Sequence, residues 1–367
     1  MRCKVMHSSP QWRSEGKEPA PLHWTSIDDR LTADVALRRL RHGDYLLYEG
    51  DYHNARQLLS ALARRIEGLR GRVPRSPSPT DAFRAERNAR QQEYEILSHL
   101  LVKLDRQYIL QLRRAPSVRE ACLSLWGKSE KDTLVPLKTL AGMLGAWEWY
   151  QRGMEVPGLK GKLYPHYGVF SPTRTDYLEV FSEMPSAEGK RIFELGTGTG
   201  ILSFLLLQRG AESVVATDID PRAVACAREN AQRLGLSDRC QILEKDLFPD
   251  GMADWIVTNP PWVPESPKNR MDRAVFDANG YFLKHFLGGL KQHLSPNGRG
   301  FLILSNLAEL LGLRSTTQLA DELKSEGLAV ESIHTSAPRH SKLDDASDPL
   351  RAIRSQEVTS MYCLKIE

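Results

Sequence analysis

The sequence has little of what would mark a metal centre, a disulfide scaffold or a membrane protein. Five cysteines stand among 367 residues, at Cys3, Cys122, Cys226, Cys240 and Cys363. No two form a CxxC pair, no histidine lies at ligand spacing from them, and the ten histidines contain no HxxxH set. No metal site is expected, and a reducing compartment is. The longest apolar run, "ILSFLLL" from Ile201, falls far short of the roughly 18 residues of a membrane span. The opening "MRCKVMHSSPQW" has no apolar core, so no signal peptide is read and a cytoplasmic protein is expected. Internal repeats are absent. So is a strong charge of one sign, the formal net charge being +4. The imbalance is local: residues 1–159 hold 26 Lys and Arg against 19 Asp and Glu, an excess of +7, and the remainder holds 24 against 27, or −3. A basic first half suits an acidic or phosphate-rich partner. The plainer reading is a solvated helical surface.

A chain of 367 residues has room for two domains of about 100–200 residues each. Residues 1–27 are polar and broken by prolines, and a loose segment is expected there. Over 28–158 apolar residues recur at three- and four-residue spacing, as in "IDDRLTADVALRRLRHGDYLLYEG" and "YHNARQLLSALARRIEGLRGRV", which predicts a smaller all-α domain. "PRSPSPTD", Pro74 to Asp81, reads as a loop within it. Over 159–367 the texture changes. Short β-rich runs ("KRIFEL", "SVVATD", "CQILEK", "DWIVTN", "GFLILS", "AVESIHT", "SMYCLKI") alternate with helical patterns. That alternation predicts an α/β fold, a doubly wound and mostly parallel Rossmann-like sheet.

Three stretches in this second part carry chemistry. The first is "FELGTGTGILS", Phe193 to Ser203, between a strand and a helix. Gly196, Gly198 and Gly200 let the chain turn sharply and let a ligand approach where a side chain would obstruct it. Thr197 and Thr199 lie between them, Glu194 stands just before, and the free N–H groups of the following helix face the same space. A dinucleotide fingerprint, G-x-G-x-x-G/A, would put its third small residue at Ile201, which is too large for close helix–strand packing. By itself the turn reads equally well as a tight strand–helix loop. The second stretch supplies support. Asp218 ends the next strand about 20 residues on, where an acid accepts from both ribose hydroxyls of a bound nucleoside, with Ile219 beside it. Asp220-Pro221 reads as a helix N-cap and first turn. "EKDLF" then places Asp246 and Leu247 after the third strand.

The third stretch is Asn259-Pro260-Pro261-Trp262 after the fourth strand. Two prolines stiffen the chain and remove two N–H donors, leaving the Pro260 carbonyl free to accept. The Asn259 side-chain carbonyl is a second acceptor, and Trp262 offers a flat face for stacking. Two acceptors can hold the two hydrogens of an amide or exocyclic amine and turn its lone pair outward. The bland alternative is a rigid turn.

Together "ELGTGTG", "ATDID", "EKDLF" and "NPPW" resemble the class I S-adenosylmethionine-dependent methyltransferases, in the branch of release-factor glutamine methyltransferases, adenine exocyclic-amine methyltransferases and small-domain ribosomal RNA guanine methyltransferases. The likeness runs from about Tyr164 to the C-terminus. It implies S-adenosyl-L-methionine as cofactor, held by Phe170, Glu194, Gly196, Thr197, Gly198, Thr199, Gly200, Asp218, Ile219, Asp246, Leu247 and Asn259. It implies a catalytic corner of Asn259, Pro260, Pro261 and Trp262, and contacts from Pro172 and Arg174 in the preceding loop. Asp246 would accept from the adenine amine. The implied activity is N-methylation of a planar nitrogen in a protein or nucleic acid, docked by the basic N-terminal domain. Two alternatives stand beside it: a small-molecule N-methyltransferase with the helical domain as lid, and a non-catalytic binding protein on the same fold. Trp262 stands where the glutamine methyltransferases usually carry Tyr.

Overall fold

The computed structural model describes residues 9–16, 18–69, 78–338 and 348–367. Cys3, residues 74–77 of the loop "PRSPSPTD" and residues 339–347 of the last long connection lie outside them; from Pro79 the stretch expected to be a loop is helical. The chain divides into two compact units, Met1–Arg75 with Arg84–Glu148, and Ser76–Phe83 with Trp149–Glu367. The break expected at 158/159 thus falls ten residues earlier, between Glu148 and Trp149.

The first unit departs from expectation. It carries five helices, α1 (Ala33–Arg41), α2 (Tyr52–Leu69), α3 (Pro79–Ser98, whose first turn groups with the second unit), α4 (Arg119–Trp126) and most of α5 (Leu137–Arg152). It also carries a sheet, so it is not all-α. The strands are β1 (Gln11–Trp12), β2 (Thr25–Ile27), β3 (Leu46–Tyr48), β4 (Leu100–Leu104) and β5 (Thr133–Pro136), in the order β1-β5-β4-β3-β2. The segment expected to be loose supplies both edge strands. The physical reason for the miss is that β3 and β5 are short and buried on both faces. Such strands show no alternation of apolar and polar residues, so nothing distinguishes them from the apolar stripe of an adjoining helix.

The second unit is the doubly wound α/β fold. After a two-stranded ribbon, β6 (Met154–Glu155) with β7 (Lys162–Leu163), come β8 (Arg191–Leu195), β9 (Ser213–Asp218), β10 (Cys240–Glu244), β11 (Ala253–Thr258), β12 (Leu294–Ser305), β13 (Leu328–Ser336) and β14 (Thr359–Ile366). Their order is β10-β9-β8-β11-β12-β14-β13, parallel except that β14 runs antiparallel to both its neighbours. Alternating side chains feed two cores. Ile192, Trp255, Val257, Phe301 and Ile303 face α6 (Asp176–Ser182), α7 (Ile201–Gln208) and α8 (Pro221–Arg233). Phe193, Ile256, Leu302 and Leu304 face α9 (Tyr281–His293) and α11 (Gln318–Ser325); two single turns, α10 (Leu307–Leu310) and α12 (Arg351–Arg354), complete the set. Phe204 and Phe286 are fully buried, one in each core. Removing such a ring costs about 3–5 kcal/mol. Among the described residues no helix is long and apolar enough to cross a membrane.

The order of strands reverses between β8 and β11, because the chain leaves β8 toward β9 and β10, then returns to the other side of β8. Ligands of open α/β sheets bind at such a reversal, off the carboxyl ends of the strands.

Candidate active site

Both motifs leave the sheet at that reversal. Thr258 is the register partner of Leu195. The next residue on one strand is Gly196, and on the other Asn259, so the glycine turn and the Asn-Pro-Pro-Trp corner start about one strand spacing apart, near 5 Å. The buried Thr258 hydroxyl donates to the Leu195 carbonyl at 2.8 Å and closes the gap.

The glycine turn is tightly determined. Gly196, Gly198 and Gly200 have φ of 73°, 55° and 87°, the left-handed region that favours glycine. A Cβ on Gly200 would meet the Phe204 ring at 2.3 Å, whereas a Cβ on Gly198 would have nothing within 4 Å. Gly200 leaves room for the Phe204 ring of the helix that follows it, and Gly198 borders open space. Gly196 and Thr197 donate their N–H groups to the Thr217 carbonyl, each at 2.9 Å. Glu194 is buried beneath them. Its Oε2 accepts from Thr197 Oγ1 at 2.7 Å, from Ser203 N at 3.0 Å and from Ser203 Oγ. Burial pushes its pKa up to about 7 against the pull of those bonds, and the Asp218 charge adds to the rise. Glu194 thus ties the turn to the start of α7. Thr199 is buried too, and its carbonyl accepts from Asn230 Nδ2 at 3.3 Å.

Asp218 stands at the end of β9 with Oδ2 accepting from Gly198 N and Oδ1 from Asp220 N, both at 2.9 Å. Burial raises its pKa, those backbone bonds oppose the rise, and the Asp220 charge adds to it. Both oxygens keep lone pairs for further donors. Asp220 is the N-cap of α8, accepting from Arg222 N at 2.9 Å, with Pro221 at the first helical position. Ile219 and Phe170 are exposed apolar side chains, at 62% and 38%. Leu247 adopts φ of 55°, uncommon for a leucine, with its carbonyl held by the Thr217 hydroxyl. Asp246 accepts from the Tyr281 hydroxyl at 2.8 Å.

At the corner, Trp262 Nε1–H donates to Asn259 Oδ1 at 2.9 Å. The indole is partly buried and packs on both cores of the sheet, and the Arg174 guanidinium stands 5.0 Å from its ring centre. Arg174 is itself held by Asp176, at 3.0 and 2.6 Å, and by Glu357 at 3.0 Å. Pro172 is buried.

Sequence reasoning missed three groups. Asn230 joins the motif turn to the loop before it, accepting from Tyr164 N at 2.8 Å while donating to Thr199 O and Tyr164 O. Phe282 lies against the turn, 3.5 Å from where a Cβ on Gly196 would be. Tyr281 and Phe282 are set by Asp277, a buried carboxylate that accepts from Phe282 N and Leu283 N at the start of α9. Only the spacing of Asp277 before the helix, an acid ahead of an apolar run, signals its role.

These residues fit S-adenosyl-L-methionine. The space beside Gly198 is open, the half-buried Asp218 has acceptors left for two hydroxyls, and its carboxylate at the turn suits a phosphate-free nucleoside. The chain matches the model of the methyltransferase small domain family over residues 160–307. It is 30% identical over 178 residues to a candidate protein N5-glutamine methyltransferase of Methanocaldococcus jannaschii, a match that spans 44% of this chain and 88% of that one. It is 28% identical to the tRNA1(Val) (adenine(37)-N6)-methyltransferase of Shewanella loihica, over 38% of this chain and 62% of the relative. Against the ribosomal protein L11 methyltransferase of Photobacterium profundum the identity is 44%, over 37% and 40% of the two chains. Among solved structures, a ribosomal protein L11 methylase of Lactobacillus delbrueckii aligns over 52% of this chain and 75% of its own, at 19% identity and a TM-score of 0.36.

The fold and the site together define an S-adenosylmethionine-dependent methyltransferase. The chain belongs to the methyltransferase small domain family.

Proposed function

We propose that the protein transfers a methyl group to a planar nitrogen, an amide or an exocyclic amine, of a protein or nucleic acid. The observation that carries this reading is the register of β8 with β11, which sets the Asn259 corner beside the glycine turn. When bound, S-adenosylmethionine supplies an electrophilic methyl carbon on a sulfonium leaving group. Gly196 to Gly200, Asp218, Ile219, Asp246 and Leu247 are the residues assigned to hold it, with Phe170 over its methionine end. Asn259 Oδ1 and the Pro260 carbonyl accept the hydrogens of the acceptor nitrogen. That draws its delocalised lone pair out of conjugation and aims it; the nitrogen gains the methyl group and gives up one of its two hydrogens as a proton to solvent. The work is positioning and preorganised electrostatics, with no covalent bond to the enzyme. The relatives support a nitrogen acceptor, since one is named for glutamine N5 and another for adenine N6. Docking of the macromolecule falls to the basic first unit.

The test is incubation with methyl-labelled cofactor and separated RNA, protein and small-molecule fractions, wild type against Asn259→Ala. Label is expected in RNA or protein, on nitrogen, and lost by at least two orders of magnitude in the variant, as for misplaced reactants. Label confined to small molecules, or full turnover by Asn259→Ala, would reject the reading.

A further inference from the structure

An asparagine side chain presents either oxygen or NH2 at one position, depending on a half-turn of its amide, and only the oxygen can accept from an acceptor nitrogen. In this site the choice is made by a neighbour. Trp262 places an N–H donor 2.9 Å from Asn259 Oδ1. The flipped amide would set two donors against each other. Trp262 in turn is fixed on several sides. Its partly buried ring packs against both sheet cores and against a third apolar cluster that includes Val263 and Leu307, while Arg174 stacks over it at 5.0 Å. The guanidinium is fixed by two carboxylates with no exposed side-chain surface, Asp176 and Glu357. These are anchored to β14 and β12 through Thr359 Oγ1, at 2.6 Å, and Ser305 Oγ, at 2.8 Å.

We propose that Trp262 is a positioning residue. Its indole N–H, backed by Arg174, holds the Asn259 amide with the oxygen's second lone pair left for the acceptor nitrogen. The indole is not the platform on which the acceptor stacks. This rests on the role given above to Asn259 and sharpens it. The sequence alone suggested the opposite use of Trp262, a flat face for a planar substrate. Contacts with Arg174 and three apolar clusters instead commit the ring to the protein. The indole N–H also gives a chemical reason for Trp at this position, since neither a Tyr nor a Phe ring carries a donor at the corresponding place.

Two substitutions separate the roles. Trp262→Phe keeps an aromatic face and loses the donor; Trp262→Leu loses both. A positioning role predicts that both lower kcat to a similar level, on the order of a hundredfold, with apparent KM for the labelled RNA or protein fraction and calorimetric cofactor affinity little changed. A stacking role predicts that Phe stays near wild type while Leu falls, and that result overturns the proposal. Arg174→Lys keeps a cation between the two carboxylates and loses the planar face, so it is expected to lower kcat in the same direction. Arg174→Lys at wild-type kcat would remove Arg174 from the device.

A second measurement needs no acceptor and no turnover. With 15N-tryptophan labelling, the Trp262 indole signal is the one missing in Trp262→Phe. It is expected to exchange slowly with water in the wild type and fast in Asn259→Ala. Fast exchange in the wild type would overturn the proposal even where the Phe variant folds poorly. The two readings also fail separately. A wild type that methylates no nitrogen defeats the proposed function, whereas an active wild type with an active Phe variant defeats only this inference.

Discussion

Glu194 offers a quantitative check on the packing of the glycine turn. Its carboxyl is buried and its pKa stands at about 7, against an ordinary 4.5. The unfolded chain therefore gives up this proton near pH 4.5, and the folded chain only near pH 7. Between those values the folded state holds more protons, so stability is lost as the pH rises. The contribution is fully present below about 4.5 and gone above about 7. At 1.36 kcal/mol per pH unit, the interval comes to roughly 3 kcal/mol. Glu194→Gln keeps an acceptor for Ser203 and Thr197 and cannot ionise. Urea or thermal unfolding of both proteins, without cofactor, between pH 5 and pH 8 reads the effect of this carboxyl together with its charge coupling to Asp218. The variant is expected to gain on the wild type as the pH rises, by about 2.5 kcal/mol over that range, or roughly 5–10 °C in Tm for a unit of this size. A stability difference that stays constant across the range would show that Glu194 is not desolvated as described, and the account of the turn would fail.

Three further outcomes are expected. Asp218→Ala removes the acceptor assigned to the ribose and should weaken S-adenosylmethionine binding by roughly 10- to 100-fold, the worth of a charged hydrogen bond, measured by calorimetry; undiminished affinity would reject that assignment. Thr258→Val removes the buried bond to the Leu195 carbonyl and leaves that carbonyl short of a partner, so unfolding should cost about 1–3 kcal/mol less than in the wild type. Tyr281→Phe removes the hydroxyl that donates to Asp246 and should weaken cofactor binding about fivefold with kcat unchanged; a change in kcat alone would place Tyr281 on the acceptor side instead.

Residues whose role depends on chain-local geometry were readable without coordinates. The glycines of "GTGTG" announce a turn because only glycine adopts positive φ at three alternate positions, and Asp220-Pro221 announces a helix start by its own chemistry. The α/β half was readable because helices of 8–13 residues follow β8, β9 and β11, so the two periods do not blur there. The first unit was not, because β3 and β5 hold three and four residues with no exposed position to mark a face. Pairings across large sequence distances left no local trace. Arg174 and Glu357 meet across 183 residues, and Tyr281 and Asp246 across 35. The role of Trp262 shows the limit within a single motif. Its spacing from Asn259 was visible, but whether the ring or the N–H does the work depends on what packs around it.

The hydrogen bonds around the corner and the turn share one feature that bears on catalysis. Thr217 accepts from Gly196 and Thr197 through its carbonyl and donates to the Leu247 carbonyl through its hydroxyl. Thr258 joins β11 to β8, and Asn230 joins the turn to the loop that precedes it. Asp277 fixes the start of α9, from which Phe282 lies on Gly196 and Tyr281 reaches Asp246. Each loop at the reversal is therefore held by a side chain from a neighbouring element rather than by its own backbone alone. Acceptors fixed in this way need not reorganise when charge develops on the acceptor nitrogen, which is the condition under which a pair of neutral carbonyls can lower a barrier. The same reasoning extends sensitivity to the residues behind the site. A change at Thr217 or Asn230, neither assigned to touch cofactor or substrate, should move the first-layer groups by tenths of an ångström and lower kcat with the fold retained.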